Sequence, residues 1–196
     1  MAKLFDRFHQ MDRRQRQSFW INVGIAGGVF LIIIAVMASI KVRGYLVYEN
    51  KEFGFRLSYP ANWILYNKPE GGAEVVVTSP IESLDQFVEN VSVDAQTLDR
   101  PTTLSAYSEK ARHQLEITLE GAIKVVSTGS TSLSGLPAFR YIYEGNMVPG
   151  GDPIRFMHVW TVQGNRAYII TYTSQKSSYS KYFRDVDGMI RSFKIL

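Results

Sequence analysis

Glu109, His113 and Glu116 follow one another at spacings of four and three, which on an α-helix brings all three to one face. That offers the oxygen and nitrogen donors of a weak divalent-metal site. Lys110, Arg112 and Gln114 are interleaved with them, so the stretch reads more simply as a solvated face with ordinary ion pairs, and no cofactor is required. The chain has three histidines; His9 lies near the N-terminus, and His158 sits between Phe156 and Trp160 at strand spacing, where a hydrogen-bonded structural role is expected. Nucleophilic hydrolysis needs a base within reach of the nucleophile, and no G-x-S-x-G, H-E-x-x-H or catalytic cysteine occurs. Gly129-Ser130-Thr131-Ser132 and Gly135 are rich in Gly and Ser but lack the lysine of a phosphate loop, and they are expected between strands. With no cysteine at all, disulfides, thiolate chemistry and lipid-modified cysteine are excluded together. The chain is therefore not expected to be an enzyme.

Charge narrows the partners further. The first 43 of 196 residues hold seven Lys/Arg against two Asp/Glu, a net +5, and the remaining 153 hold 15 against 16, a net −1. All the excess basicity flanks an apolar segment, so nucleic acid is not an expected partner.

That segment runs from Trp20 to Ile40 with no charge for 21 positions, about 31 Å as a helix, which matches the hydrocarbon thickness of a bilayer. The sequence divides into a basic tail (1–18), a transmembrane helix (19–40) and a globular domain (41–196). A secretory signal cleaved near Val36-Met37-Ala38 is the competing reading; the length of the stretch and the leader before it favour an uncleaved anchor. Five Lys/Arg in the first 16 residues put the tail in the cytoplasm and the domain in the periplasm, cell exterior or a thylakoid-type lumen. Gly24, Gly28, Ala35 and Ser39 form a low-relief stripe suited to close packing against another membrane helix, although Gly and Ala are also ordinary membrane-helix residues.

Downstream, strands precede helices. Tyr45 to Glu49 is a strand, and Phe53 to Tyr59 alternates at period two until Pro60-Ala61-Asn62; Trp63 to Tyr66 resumes extended structure before the loop Lys68 to Gly72. Val75-Val76-Val77 is expected in a strand buried on both sides, and Asn90 to Gln96 turns Val91, Val93 and Ala95 inward. Thr103 N-caps a helix to Glu120 that packs Leu104, Tyr107, Ala111, Leu115 and Leu119, with Gly121 beyond it. Ile123 to Ser127 is a strand, Gly135-Leu136-Pro137 a turn, and Ala138 to Gly145 a strand with Phe139, Tyr141 and Tyr143 on one face. Ile154 to Val162 and Ala167 to Tyr172 form a hairpin around Gly164-Asn165, and Tyr179 to Ser192 is a helix packing Tyr182, Phe183, Val186 and Ile190. The class is α+β, a mainly antiparallel sheet flanked by helices. Tyr141, Tyr143, Tyr168 and Tyr172 are expected in its core, and the loops Lys68 to Ala73 and Pro149 to Asp152 are candidate contact points.

Gly54-Phe55-x-Leu57-Ser58-Tyr59-Pro60-x-x-Trp63, Asn90-Val91-x-Val93, Gly135-x-Pro137-Ala138, Tyr168-x-x-Thr171-Tyr172 and Ile190-Arg191-Ser192-Phe193 resemble, in that order, the PsbP family. The resemblance covers about residues 45 to 196 and implies an α-β-α sandwich. In photosynthetic members it implies an extrinsic subunit on the lumenal face of photosystem II that helps retain its inorganic cofactors. Other members look like assembly or accessory factors, and bacterial relatives occur outside photosynthesis. Here an apolar segment stands where a cleaved targeting sequence would be, and no cysteine is available for a lipoprotein anchor. The expected function is a membrane-anchored accessory or assembly subunit that docks its domain on the extracytoplasmic or lumenal face of a photosynthetic or respiratory complex, with the complex's subunits and the bilayer as partners. A cell-envelope ligand- or metal-binding module is the alternative.

Overall fold

The computed structural model describes residues 44–70, 72–81, 87–119, 122–146 and 152–196. The tail, the apolar segment with Gly24, Gly28, Ala35 and Ser39, Gly121 and most of the Pro149 to Asp152 loop lie outside the described residues. Among the described residues no helix is long and apolar enough to cross a membrane.

Ten strands and two helices are described: β1 (Tyr45–Asn50), β2 (Phe55–Pro60), β3 (Ile64–Asn67), β4 (Val75–Thr78), β5 (Asn90–Thr97), α1 (Leu104–Thr118), β6 (Ile123–Leu133), β7 (Leu136–Gly145), β8 (Ile154–Gln163), β9 (Arg166–Gln175), α2 (Tyr179–Ser192) and β10 (Lys194–Ile195). They form a three-stranded sheet, β1-β2-β10, and a seven-stranded sheet, β3-β4-β5-β9-β8-β7-β6, in which every pairing is antiparallel.

Alternation sorts the large sheet's side chains into two cores. On one face Val75, Val77, Val91, Val93, Met157, Val159, Ile170 and Tyr172 meet Phe55 and Leu57 of β2 and Tyr182, Val186 and Met189 of α2. Phe193 closes this layer, fully buried between Phe55, with ring centroids 5.5 Å apart, and Tyr168, at 5.9 Å. On the other face Tyr141, Tyr143, Trp160 and Ile169 receive Leu104, Tyr107, Ala111, Leu115 and Leu119 of α1 and its C-terminal end. The result is the expected three-layer arrangement, one helix to each face, with all four tyrosines buried, two in each core.

The caps are local. The Thr103 hydroxyl accepts from the Ala106 N–H at 3.2 Å, which supplies the first turn of α1 with one of the partners it lacks. At α2 the Ser178 hydroxyl donates to the buried Glu89 carboxylate, to which Ser79 also donates at 3.3 Å, so an acid from before β5 stands at the positive end of the helix.

Four expectations are corrected. Gly129 to Ser132 does not lie between strands but inside β6, which runs to Leu133; β6 is an edge strand with a bulge between Val125 and Ser127, where Gly and Ser face water at little cost. The turn is Ser134-Gly135, both at positive φ (55° and 78°), while Leu136 and Pro137 already belong to β7. Positive φ at both central positions matches a right-twisted hairpin. Val76 is only half-buried, because α1 does not extend over β4. On α2 the inward face is Tyr182, Asp185, Val186 and Met189, and Phe183 is 37% exposed: the helix phase favours 182, 185, 186 and 189, one step round from the stripe expected.

Candidate functional site

The family-motif residues are spread over the framework of the domain. Gly54 ends the β1–β2 connection at φ +65°, a conformation glycine adopts without strain, and its carbonyl accepts from the Leu196 N–H at 2.8 Å, so the C-terminus is tied to the start of β2. Phe55 and Pro60 are buried, Tyr59 half-buried, and Trp63 packs edge-on against Tyr182 at 5.6 Å. Pro137 is exposed, yet its carbonyl takes the hydroxyl of buried Thr161 at 2.7 Å.

Glu109, His113 and Glu116 lie on the solvent side of α1 around a shallow depression shared with Lys110 and Arg112. Among the described residues no three His, Asp or Glu converge as a metal site. The Lys68 to Ala73 loop is partly fixed: the Lys68 N–H donates to the Glu74 carbonyl at 3.0 Å and its ammonium bonds Glu52 at 2.6 Å. Asp152 accepts from the Ser177 hydroxyl at 2.5 Å.

A more developed feature is a groove of about 960 Å³ between α1 and the β5–β9 part of the sheet. It exists because α1 packs on β7 and β8, leaving the adjoining strands of that face without a helix. Lys110 and Gln114, both exposed, form one wall, and the segment around Asp99 and Arg100 forms the rim. Asp94, Thr171 and the edge of His158 lie along the sheet side. Beyond Asp94 the same face continues over Ser92 and Val76 into a second shallow depression bordered by Tyr66, which is 48% exposed.

The wall is fastened by hydrogen bonds between α1 and the sheet. The Trp160 indole N–H donates to the Ser108 hydroxyl at 2.8 Å, and that hydroxyl donates to the Leu104 carbonyl at 2.6 Å. The Tyr107 hydroxyl donates to the Gln96 side-chain carbonyl at 3.0 Å, and burial, then Asp94, pushes that phenol up to about 12.

His158 is locked in place. One ring nitrogen is 3.1 Å from the Tyr143 hydroxyl and the other 3.0 Å from the Thr171 hydroxyl, while Tyr143 stacks on the ring at 5.5 Å. Burial pushes the imidazole down to about 4, so it is neutral at pH 7 with both nitrogens engaged, the structural role its spacing predicted. Asp94 is held above the ordinary carboxyl value by burial first and by the negative charge of Glu74 second. The site thus presents neutral donors and acceptors, the carboxyls of Asp94 and Asp99 and the cations Arg100 and Lys110, an arrangement suited to reading another surface.

The groove was not anticipated. Its one trace in the sequence is the polar alternate set Asn90, Ser92 and Asp94 on β5, which signals a face without a hydrophobic cover.

Comparison with known proteins places these features in a class. The family model for PsbP-like proteins matches residues 33–195, most of the chain, and the chain belongs to that family. No curated protein sequence matches. The fold is similar to cyanobacterial PsbP (CyanoP) from Synechocystis sp. PCC 6803, with a TM-score of 0.58 and 14% identity over 80% of this chain and 95% of that one. It is also similar to LpqN, involved in cell envelope biogenesis of Mycobacterium tuberculosis, with TM-score 0.55 and 9% identity over 82% and 95% of the two chains. The Saccharomyces cerevisiae Ran-binding protein Mog1p matches with TM-score 0.53 and 11% identity over 78% and 96%. At these identities the likeness is one of fold.

Proposed function

We propose that this chain is a membrane-anchored, non-catalytic accessory or assembly subunit, tethered by the apolar segment Trp20 to Ile40, which docks its PsbP-like domain on the extracytoplasmic or lumenal face of a larger membrane complex. The observation that carries the reading is the groove beside α1, continuous with the open β4–β5 surface. A rigid sheet, covered by a helix on one half and left open on the other, supplies a concave surface of mixed polarity on a fixed scaffold. Membership of the PsbP-like family and the membrane length of the apolar segment support the setting. Tethering raises the local concentration of the domain, so a modest interface is enough for occupancy.

The test is extraction of native membranes in mild detergent, size fractionation, and mass spectrometry of what travels with the chain. Co-migration with a large complex is the expected result. Migration as a small particle alone would overturn the accessory-subunit reading.

A further inference from the structure

We infer that strand β1 rests on the bilayer surface, its Tyr45, Leu46 and Val47 entering the headgroup region of the membrane in which the apolar segment is anchored. The inference builds on the anchored reading above and adds an orientation for the domain.

Tyr45, Leu46 and Val47 are 48%, 48% and 65% exposed, three large apolar residues in succession. They open β1, which pairs with β2 along one side and is the edge of the three-stranded sheet. An apolar edge strand facing water invites pairing with other chains, and soluble domains normally blunt such edges with charge, proline or a covering element. Within β1 the one charged residue, Glu49, stands near the far end of the strand.

The chain's connectivity says what covers it. Four residues lie between Ile40 and Tyr45, and five chain steps of no more than about 3.5 Å each hold β1 within roughly 17 Å of the end of the apolar stretch. The headgroup region of one leaflet is about 5–8 Å deep, so the start of β1 can reach into it and lies at most about 12 Å beyond it. Within that range exposed Leu, Val and Tyr gain by entering the interface, and Tyr is favoured there because its ring is apolar and its hydroxyl polar. Headgroups and their water can also satisfy the free edge of the strand, which hydrocarbon could not.

The flanking charge suits the same surface: Lys41 and Arg43 precede β1 and would favour anionic phosphates, whereas at the far end Glu49 and Glu52 are offset by Lys51 and by Lys68, which pairs with Glu52 at 2.6 Å.

Because the chain contains no cysteine, single cysteines can report on this directly. Full-length protein carrying Leu46→Cys, Val47→Cys or, as control, Val126→Cys is labelled with a polarity-sensitive fluorophore and reconstituted into phosphatidylcholine–phosphatidylglycerol nanodiscs. Val126 is also exposed, at 43%, but lies on β6, across the large sheet from β3, which directly follows the β2 turn. The expected result is blue-shifted emission at positions 46 and 47, quenched several-fold more by headgroup-linked nitroxide lipid than at position 126, with iodide showing the reverse order. Labels at 46 and 47 that behave like the control would overturn the inference. An alkaline carbonate wash of the same protein in vesicles separates the two readings. Release into the supernatant overturns the anchor and this orientation together, whereas retention with water-exposed labels overturns the orientation alone.

Discussion

His158 shows how a single side chain in this domain links burial to acid stability. Its folded value of about 4 lies below the ordinary 6.5, so the neutral form is the one the fold holds. Above pH 6.5 both folded and unfolded chains carry neutral imidazole and the full stability is present. As pH falls toward 4 the unfolded chain takes up a proton that the folded one resists, and roughly 1–3 kcal/mol of stability is lost in that window. Glu144 acts lower. Hydrogen bonds from Arg155 and Lys176 hold its carboxyl below the usual 4.5, so its contribution is present above that value and is lost as pH falls through the still lower folded one. Asp94, held above its usual value, opposes this loss in the acid range. Glu144 and Asp94 are common to the native chain and a His158→Gln variant, so the difference between the two isolates the histidine. Urea unfolding at pH 7, 6 and 5 should show the native chain losing stability relative to His158→Gln, and parallel pH profiles for the two would refute the assignment. Strand spacing placed His158 among aromatic residues, but not the hydroxyls of Tyr143 and Thr171 that engage it, because both come from neighbouring strands whose register only the folded sheet defines.

Among the secondary-structure elements, α1 is the one whose attachment creates the groove. Its apolar stripe is carried by Leu104, Tyr107, Ala111 and Leu115, all only partly buried, so the buried Ser108–Trp160 hydrogen bond has a large share in fixing its position. Removing the Ser108 hydroxyl leaves the indole N–H buried without that partner. Ser108→Ala should cost about 1–3 kcal/mol. For a domain of this size that is a fall of roughly 2–12 °C in Tm. Trp160→Phe removes the donor, so the double variant should cost less than the sum of the singles, and strict additivity in thermal melts would show that the bond contributes nothing. The boundaries of α1 and α2 were legible because caps and 3.6-residue periodicity are local signals; the Thr103 cap and the span Tyr179–Ser192 are as expected. The role of Ser108 was not, since a serine within a helix says nothing about a tryptophan 52 residues away. The Gly/Ser run of β6 was misread for a related reason: its strand character comes from pairing with β7 and not from its own propensity.

For the whole molecule, the docking proposed at the groove would be joined to a second contact on the same chain if the Gly24/Gly28 stripe also packs against a partner helix, and the physics of tethering determines how the two would respond to mutation. The groove side of the domain is altered by Lys110→Glu with Gln114→Trp, both exposed positions on its wall and outside the two cores, so the fold should melt unchanged. The proposed intramembrane contact is altered by Gly24→Leu with Gly28→Leu, which puts bulk where a neighbouring helix would approach closely. If either contact alone still holds the complex, it does so with the other site near it at high effective concentration, so each pair should reduce co-purification only partly, about two- to tenfold. Combining the pairs removes both the direct contact and the tether's advantage, and recovery should fall by more than the product of the two losses. Quantitative mass spectrometry of the co-purified subunits across the four forms measures this directly. Complete loss from the glycine pair alone would make the membrane helix the whole interface and leave the groove without a part in docking. Unchanged recovery in the groove pair, with the glycine pair partly defective, would move the domain's contact to another face.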